Sequence, residues 1–78
     1  MTKTLDKFSI GESGVVVKVD GERKIKRRLY DMGIINGAEV YLRKKAPLGD
    51  PIEISVRSYE LSLRKSEAAC VTVEVKNA

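Results

Sequence analysis

The 78-residue sequence contains no histidine and no tryptophan, and it has one cysteine, two prolines and four aromatic residues. Without histidine, the commonest acid–base group near neutral pH and the commonest metal ligand are missing. Cys70 alone can form neither an internal disulfide nor a thiolate zinc site. The sequence also lacks a nucleophile elbow and the glycine-rich phosphate-binding motifs. We therefore predict no enzyme activity, no catalytic residue, no metal site and no cofactor.

Long hydrophobic runs are also missing. Runs such as Val15-Val-Val17 are far too short to cross a bilayer, and the N-terminal segment has no apolar core typical of a signal peptide. A hydrophobic content of 42% is nevertheless enough for a folded core. We expect one soluble, cytoplasmic domain over residues 1–78 that is not inserted in a membrane.

The charge is positive and unevenly distributed. The net charge is +4, and residues 22–28 contain five basic residues and one acidic residue, with a second basic patch at 43–45. A basic surface favours an acidic partner, which can be nucleic acid, a phospholipid surface or an acidic protein face. The alternative interpretation is a solvated cationic face with no partner.

Alternation of apolar and polar residues predicts five short strands, at residues 15–19, 38–45, 52–58, 61–64 and 71–75. A small β-rich chain removes its exposed strand edges by closing the sheet, so a small barrel is expected. The side chains predicted to face its interior are Val15, Val17, Val19, Val40, Leu42, Ile52, Ile54, Val56, Leu61, Leu63, Val71, Val73 and Val75. Residues 5–10 are expected to pack one or two apolar side chains as a lead-in segment.

One segment has helical periodicity instead. Ile25, Leu29 and Met32 lie at positions i, i+4 and i+7. Gly33 follows them, at the position just after a helix where the left-handed backbone conformation is favoured. The pattern predicts one short amphipathic helix over residues 22–32, between the first and second predicted strands. Residues 65–69 are predicted to form a single helical turn. The fold class is therefore mainly β.

Both prolines lie in the loop between the second and third predicted strands. Pro47 and Pro51 lack amide donors and cannot lie within a central ladder, while Gly49 and Asp50 are typical turn residues. The loop should therefore be stiff and lose little entropy on binding a partner. Leu48, at its tip, has no obvious position in the core.

The order and spacing of several segments resemble the FeoA family, ferrous iron transport protein A, over residues 5–75. The resemblance rests on the sequence from Leu5 to Val16, and on four further segments. These are Arg27-Arg-Leu-Tyr-Asp-Met-Gly33, Asn36-Gly-Ala-Glu-Val40, Ala46-Pro-Leu-Gly-Asp-Pro-Ile52 and Leu61-Ser-Leu-Arg-Lys-Ser-Glu-Ala68. The resemblance implies a five-stranded SH3-like barrel.

The resemblance also implies an accessory protein that binds the cytosolic G domain of the ferrous iron transporter FeoB and regulates it at the inner face of the membrane. Charge, a stiff loop and an exposed anchor select the candidate partner-binding residues Arg23, Lys26, Arg27, Tyr30 and Leu48. The candidate loop-structuring residues are Pro47, Gly49, Asp50, Pro51 and Arg64. Among these, Asp50 and Arg64 are expected to form a partly buried ion pair.

Two alternatives remain open from the sequence. The charge would also suit an SH3-like module that binds RNA or the ribosome, although the aromatic residues are not clustered as in most nucleic-acid modules. The chain could instead be an interface subunit without an activity of its own. We expect no small-molecule substrate and consider nucleic acid the weaker interpretation, while self-association stays open.

Overall fold

Six antiparallel strands form one sheet in the order β1-β6-β2-β3-β4-β5. The computed structural model describes residues 1–57 and 59–76. Outside the described residues lie Ser58, which was predicted to end a strand, and Asn77 and Ala78, the last two residues of the predicted domain. Along the chain the elements are β1 (Thr2–Thr4), a 3₁₀ turn (Leu5–Lys7), β2 (Ser13–Val19), α1 (Arg23–Asp31), β3 (Glu39–Lys45), β4 (Ile52–Val56), β5 (Tyr59–Leu63), α2 (Lys65–Ala68) and β6 (Val71–Val75). Across these described residues, no helix is long and apolar enough to span a membrane.

The mainly β class is confirmed, but three details of the predicted barrel are wrong. There are six strands and not five, and α1 lies between the second and third strands of the chain. The sheet is also not closed, since β1 and β5 form its two edges within the described part of the chain. The extra strand β1 consists of Thr2, Lys3 and Thr4 and is held by backbone pairing with β6. It has no apolar alternation, so the pattern that identified the other strands could not reveal it.

The core lies on one face of the sheet. Most of the predicted interior residues are buried there: Val19, Val40, Leu42, Ile52, Ile54, Val56, Leu63, Val71 and Val73, with Leu61 and Val75 partly buried against them. The prediction was wrong for Val15 and Val17, because Val16 is the residue that is fully buried. The pairing of β2 with β6 shifts register between Val16 and Lys18. This β-bulge turns Val17 outward and returns Val19 to the core, so strict alternation fails within β2.

Segments outside the predicted strands complete the core. Leu5 and Phe8 of the lead-in segment are fully buried, as expected for that segment, and Ile34 is fully buried after α1. On α1 itself Leu29 is fully buried, while Ile25 and Met32 are partly buried and pack against the core. The helix is two residues shorter than predicted, and it has the expected apolar stripe. Its position therefore depends on packing, since nine residues are too few for a stable isolated helix.

Glu67 is a buried charged residue, and the sequence analysis did not single it out. Its carboxylate is 7% exposed, and its Oε1 accepts a hydrogen bond of 2.9 Å from the backbone N–H of Arg64 at the start of α2. Its Oε2 lies 3.0 Å from Nε of Arg28, near the end of α1. Because a buried carboxylate needs such partners, the contact with Arg28, whose side chain is 60% exposed, links the two helices.

The turn after α1 provides a matched pair of glycines. Gly33 and Gly37 have positive φ angles of 89° and 93°, so alanine should cost about 1–2 kcal/mol at either position. At Gly33 a Cβ atom would also overlap the hydroxyl of Tyr59, which donates a hydrogen bond to the carbonyl of Met32. At Gly37 a Cβ atom would point into open space, since no heavy atom of the described residues lies within 4 Å of it, apart from the two chain neighbours.

We predict that Gly33→Ala lowers the free energy of unfolding by about 1–3 kcal/mol more than Gly37→Ala does, because overpacking adds to the backbone strain. Urea denaturation followed by circular dichroism measures both. Adding Tyr59→Phe should recover part of the loss at Gly33 and none at Gly37. Equal losses from the two alanine variants would contradict the steric contact.

Candidate docking site

Four of the five predicted partner-binding residues lie on one face of α1. Arg23, Lys26, Arg27 and Tyr30 occupy positions i, i+3, i+4 and i+7, and together with Gly21 they line an open groove of about 440 Å³. This face is opposite to the stripe of Ile25, Leu29 and Met32 that packs on the core. We call the set of Gly21, Arg23, Lys26, Arg27 and Tyr30 the α1 groove.

The cations of the α1 groove have no carboxylate partners among the described side chains. Within residues 1–57 and 59–76, Arg28 is the α1 side chain that forms an ion pair, and Arg23, Lys26 and Arg27 form none. Cations three and four positions apart on a helix repel each other, typically by a few tenths of a kcal/mol per pair. Arg23 also lies in the first turn, at the positive end of the helix dipole. The groove is therefore a concentrated positive site.

Several carboxylates elsewhere on the surface are already paired with other cations. Glu12 accepts a hydrogen bond from Lys3, and Glu39 accepts one from Lys76. The hydrogen bond from Lys3 lowers the pKa of Glu12, and that from Lys76 lowers the pKa of Glu39. Further ion pairs join Arg43 to Glu60 and Lys18 to Asp20. These acidic groups are therefore engaged away from α1, and they do not neutralise its cations.

Tyr30 gives the α1 groove an apolar surface. Its side chain is 46% exposed, so its ring can pack against an apolar group of a partner. Lys26 is partly buried, whereas Arg23 and Arg27 are exposed. The combination of an exposed aromatic ring with arginine is typical of residues that dominate binding energy at protein interfaces.

The fifth predicted residue, Leu48, lies on the loop between β3 and β4 and outside the α1 groove. It is 94% exposed and therefore has no place in the core. The loop is held by backbone hydrogen bonds from Ala46 N–H to Pro51 O, at 3.0 Å, and from Gly49 N–H to Ala46 O, at 2.7 Å. Gly49 has a φ of 83°. Leu48 is thus an apolar side chain projecting from an internally bonded turn.

The structure brings together three of the five residues predicted to shape this loop. Asp50, Pro51 and Arg64 line a second depression of about 500 Å³, which Arg28 and Glu67 also border. Pro47 is exposed and lies outside this depression, and the peptide bond between Asp50 and Pro51 is cis.

Asp50 and Arg64 are neighbours but not the expected ion pair. Asp50 Oδ1 instead accepts a hydrogen bond of 2.9 Å from the backbone N–H of Lys65, and no Asp50–Arg64 ion pair forms between described side chains. Asp50 therefore caps the first turn of α2 from a loop 15 residues away in sequence. A sequence pattern could not show this, because the donor is a backbone group that every residue except proline carries.

Two further residues were missed by sequence reasoning. Arg28 was counted only within the basic segment of residues 22–28, and Glu67 lay unremarked in the predicted helical turn, yet their contact links α1 to α2. The sequence offered one weak indication of their importance, because both residues lie in segments that resemble the FeoA family. In the described residues 1–57 and 59–76, no three potential metal-ligating side chains come together.

For Asp50 we predict a loss of about 0.5–2 kcal/mol in unfolding free energy on Asp50→Ala, the range for losing a helix-capping side chain. Asp50→Asn should lose less, since its amide oxygen can still accept the Lys65 N–H. Glu53→Ala is the matched control, because the Glu53 side chain is partly buried but makes no hydrogen bond or ion pair found among the described residues. Thermal melts measure all three, and a loss for Glu53→Ala as large as that for Asp50→Ala would rule out the capping role.

The sequence and the fold of this chain are both similar to those of known FeoA domains. The family model described as FeoA domain matches residues 3–75. The solution structure of a FeoA-like protein from Clostridium acetobutylicum is 43% identical, with a TM-score of 0.91, over 99% of this chain and 90% of that one. A zinc complex of FeoA from Stenotrophomonas maltophilia, described as an SH3 domain protein, is 34% identical, with a TM-score of 0.80, over 92% of this chain and 89% of that one.

A curated relative is much longer. It is the Fe(2+) transport protein A/Fe(2+) transporter FeoB fusion protein of Porphyromonas gingivalis, and it is 32% identical over 71 residues. These residues are 91% of this chain and 8% of the fusion protein, so the chain spans about 8% of that relative's length. Because the family model matches residues 3–75 and the SH3-like fold is similar to solved FeoA structures, the chain belongs to the FeoA domain family, which is linked to ferrous iron transport.

Proposed function

We propose that this protein is an accessory and regulatory protein of ferrous iron uptake that binds the cytosolic G domain of a FeoB-type transporter. The observation that supports this most directly is the Porphyromonas gingivalis relative, in which a domain similar to this chain and the transporter are parts of one polypeptide. Two proteins that are fused in one organism commonly act together when they are separate. The Stenotrophomonas maltophilia relative is described as a candidate activating factor of bacterial ferrous iron transport, which agrees with a regulatory role.

The role we propose is binding and not catalysis. The chemistry of the exposed side chains supports it, because the α1 groove combines arginine, lysine and tyrosine without an acid–base pair suited to catalysis. The protein would act as a single domain in the cytoplasm and reach the membrane through its partner. Calorimetric titration with the purified cytosolic region of a FeoB-type transporter from the same organism tests the proposal, and the absence of saturable binding would refute it.

The partner surface we propose consists of the α1 groove and Leu48. A docking surface of this kind needs an apolar anchor on rigid backbone and charged residues that steer the partner during association. Leu48 is the anchor, being 94% exposed on an internally hydrogen-bonded loop. Arg23, Lys26 and Arg27 supply the charge, and Tyr30 adds contact area.

For the anchor, we predict that Leu48→Ser weakens binding to the transporter's cytosolic region by about 1–3 kcal/mol, as expected for an interface anchor. The melting temperature should hardly change, because the side chain makes little contact with the rest of the protein. Ile10→Ser is the matched control, since Ile10 is also exposed, at 62%, and belongs neither to the α1 groove nor to the loop between β3 and β4. If Leu48→Ser binds as the parent does, or unfolds the protein, Leu48 is not the anchor.

For the steering charge, we predict that Arg27→Glu acts mainly on the association rate and that its effect shrinks as salt is raised, because screening weakens exposed charges. Stopped-flow association at several salt concentrations measures this. Lys44→Glu makes the same change in net charge outside the α1 groove and should affect the rate much less. Equal effects of the two variants would mean that net charge alone steers association.

A further inference from the structure

The α1 groove also indicates the chemistry of the segment that occupies it. We propose that the α1 groove binds a short acidic polypeptide segment with one apolar side chain, its carboxylates contacting Arg23, Lys26 and Arg27 and its apolar group packing on Tyr30. This inference rests on the proposed function, because it takes the segment to belong to the transporter's cytosolic region.

Charge complementarity is the first argument. Three cations line the groove, and none forms an ion pair with a described carboxylate of the chain. Their mutual repulsion disfavours the free helix, and carboxylates of a partner would relieve it. A second copy of this chain is a poor occupant, because each copy carries a net charge of +4.

The length of the groove is the second argument. Arg23 and Tyr30 are seven residues apart on α1, which corresponds to about 10 Å along a helix axis. About three residues of extended chain cover the same distance. Tyr30 lies at one end of this row, after the three cations, so the groove suits two carboxylates followed by an apolar side chain at one end of the segment.

The charges at the two ends of α1 are the third argument. Glu22 precedes the helix and Asp31 is its last residue, so an acidic side chain borders the cations at each end. A nucleic acid strand or an anionic bilayer would carry further negative charge past both ends and meet Glu22 and Asp31. A short acidic segment can end before reaching them, and this favours a polypeptide over a continuous polyanion.

The shape of the groove is the fourth argument. Ligand pockets for small molecules usually enclose most of the ligand's surface. The α1 groove is open to solvent along the helix, with one ring, Tyr30, as its large apolar surface. An extended segment anchored by one apolar side chain fits such a groove better than an isolated small anion does.

The experiment uses the full chain, labelled with nitrogen-15, and a capped pentapeptide of sequence Gly-Leu-Glu-Glu-Gly as the probe, whose three central residues match the length of the groove and whose neutral ends avoid Glu22 and Asp31. We expect saturable shifts of the amide signals of residues 21–30. The peptide Gly-Leu-Gln-Gln-Gly, which has the same shape without charge, should bind roughly tenfold more weakly, since two exposed ion pairs are lost at about threefold each. The peptide Gly-Gly-Glu-Glu-Gly should also bind more weakly, because it lacks the group that packs on Tyr30.

Protein variants provide a second readout. The double variant Lys26→Gln/Arg27→Gln should weaken binding of the acidic pentapeptide roughly tenfold, the product of two such contacts. Its melting temperature should change little, because the repulsion by Arg23 that is removed is offset by the lost attraction of Lys26 to Glu22 and of Arg27 to Asp31, each four positions away. A residue pair with a purely structural role would instead lower it. Lys44→Gln combined with Lys7→Gln makes the same charge change elsewhere and should bind as the parent does.

Three results would overturn the inference. The first is equal binding of the charged and uncharged pentapeptides, and the second is amide shifts that lie outside residues 21–30. The third is a short oligouridylate, or vesicles of phosphatidylglycerol, binding at residues 21–30 more tightly than the acidic pentapeptide under the same salt conditions. In that case the groove is a general polyanion site.

The transporter's cytosolic region is titrated in parallel with the parent and the double variant. If the region binds both equally and the pentapeptide does not bind, the proposed function stands and the inference fails. If the pentapeptide binds as expected but the region binds neither protein, the proposed function fails and the chemistry assigned to the groove stands.

Discussion

The carboxylate of Glu67 joins the two helices, and the placement of the candidate docking face depends on this contact. It is 7% exposed, with Arg28 of α1 on one oxygen and the Arg64 N–H on the other. The Arg28 side chain is 60% exposed, so the pair is only half buried, and removing Arg28 would leave one oxygen of the nearly buried Glu67 carboxylate without its charged partner. Arg28 directly precedes the fully buried Leu29, so the ion pair and the core contact hold the same turn of the helix.

Once that turn is held, the two faces of α1 have separate roles. The face of Ile25, Leu29 and Met32 packs on the core, and the opposite face presents the α1 groove to solvent. A short helix with repelling cations would not be stable alone, so burial of its apolar stripe must offset that repulsion. The groove is thus a charged surface that the rest of the domain stabilises, which is typical of a site kept for binding rather than for stability.

Prediction from the sequence succeeded where local pattern decides the structure. The alternation in β4 and β6 identified both strands and their buried residues, because an antiparallel strand that covers a core on one face must alternate. It failed for β1, whose side chains are all polar, and for the first half of β2, where a bulge at Val17 changes the register. For the candidate site, helical spacing of charged residues on α1 correctly anticipated exposed cations. The partner of Asp50 was misassigned, because its hydrogen bond goes to a backbone N–H.

The sequence by itself determined five of the six strands found in the described residues, both helices, the burial of Leu29 and of most apolar strand residues, and the exposure of Leu48 and the basic helix face. These follow from local periodicity and from proline and glycine chemistry, which act over a few residues. Only the tertiary structure decided that the sheet stays open, that Asp50 caps α2, and that Glu67 holds Arg28. The physical reason is that these contacts join atoms far apart in sequence, and their geometry depends on how the whole core packs.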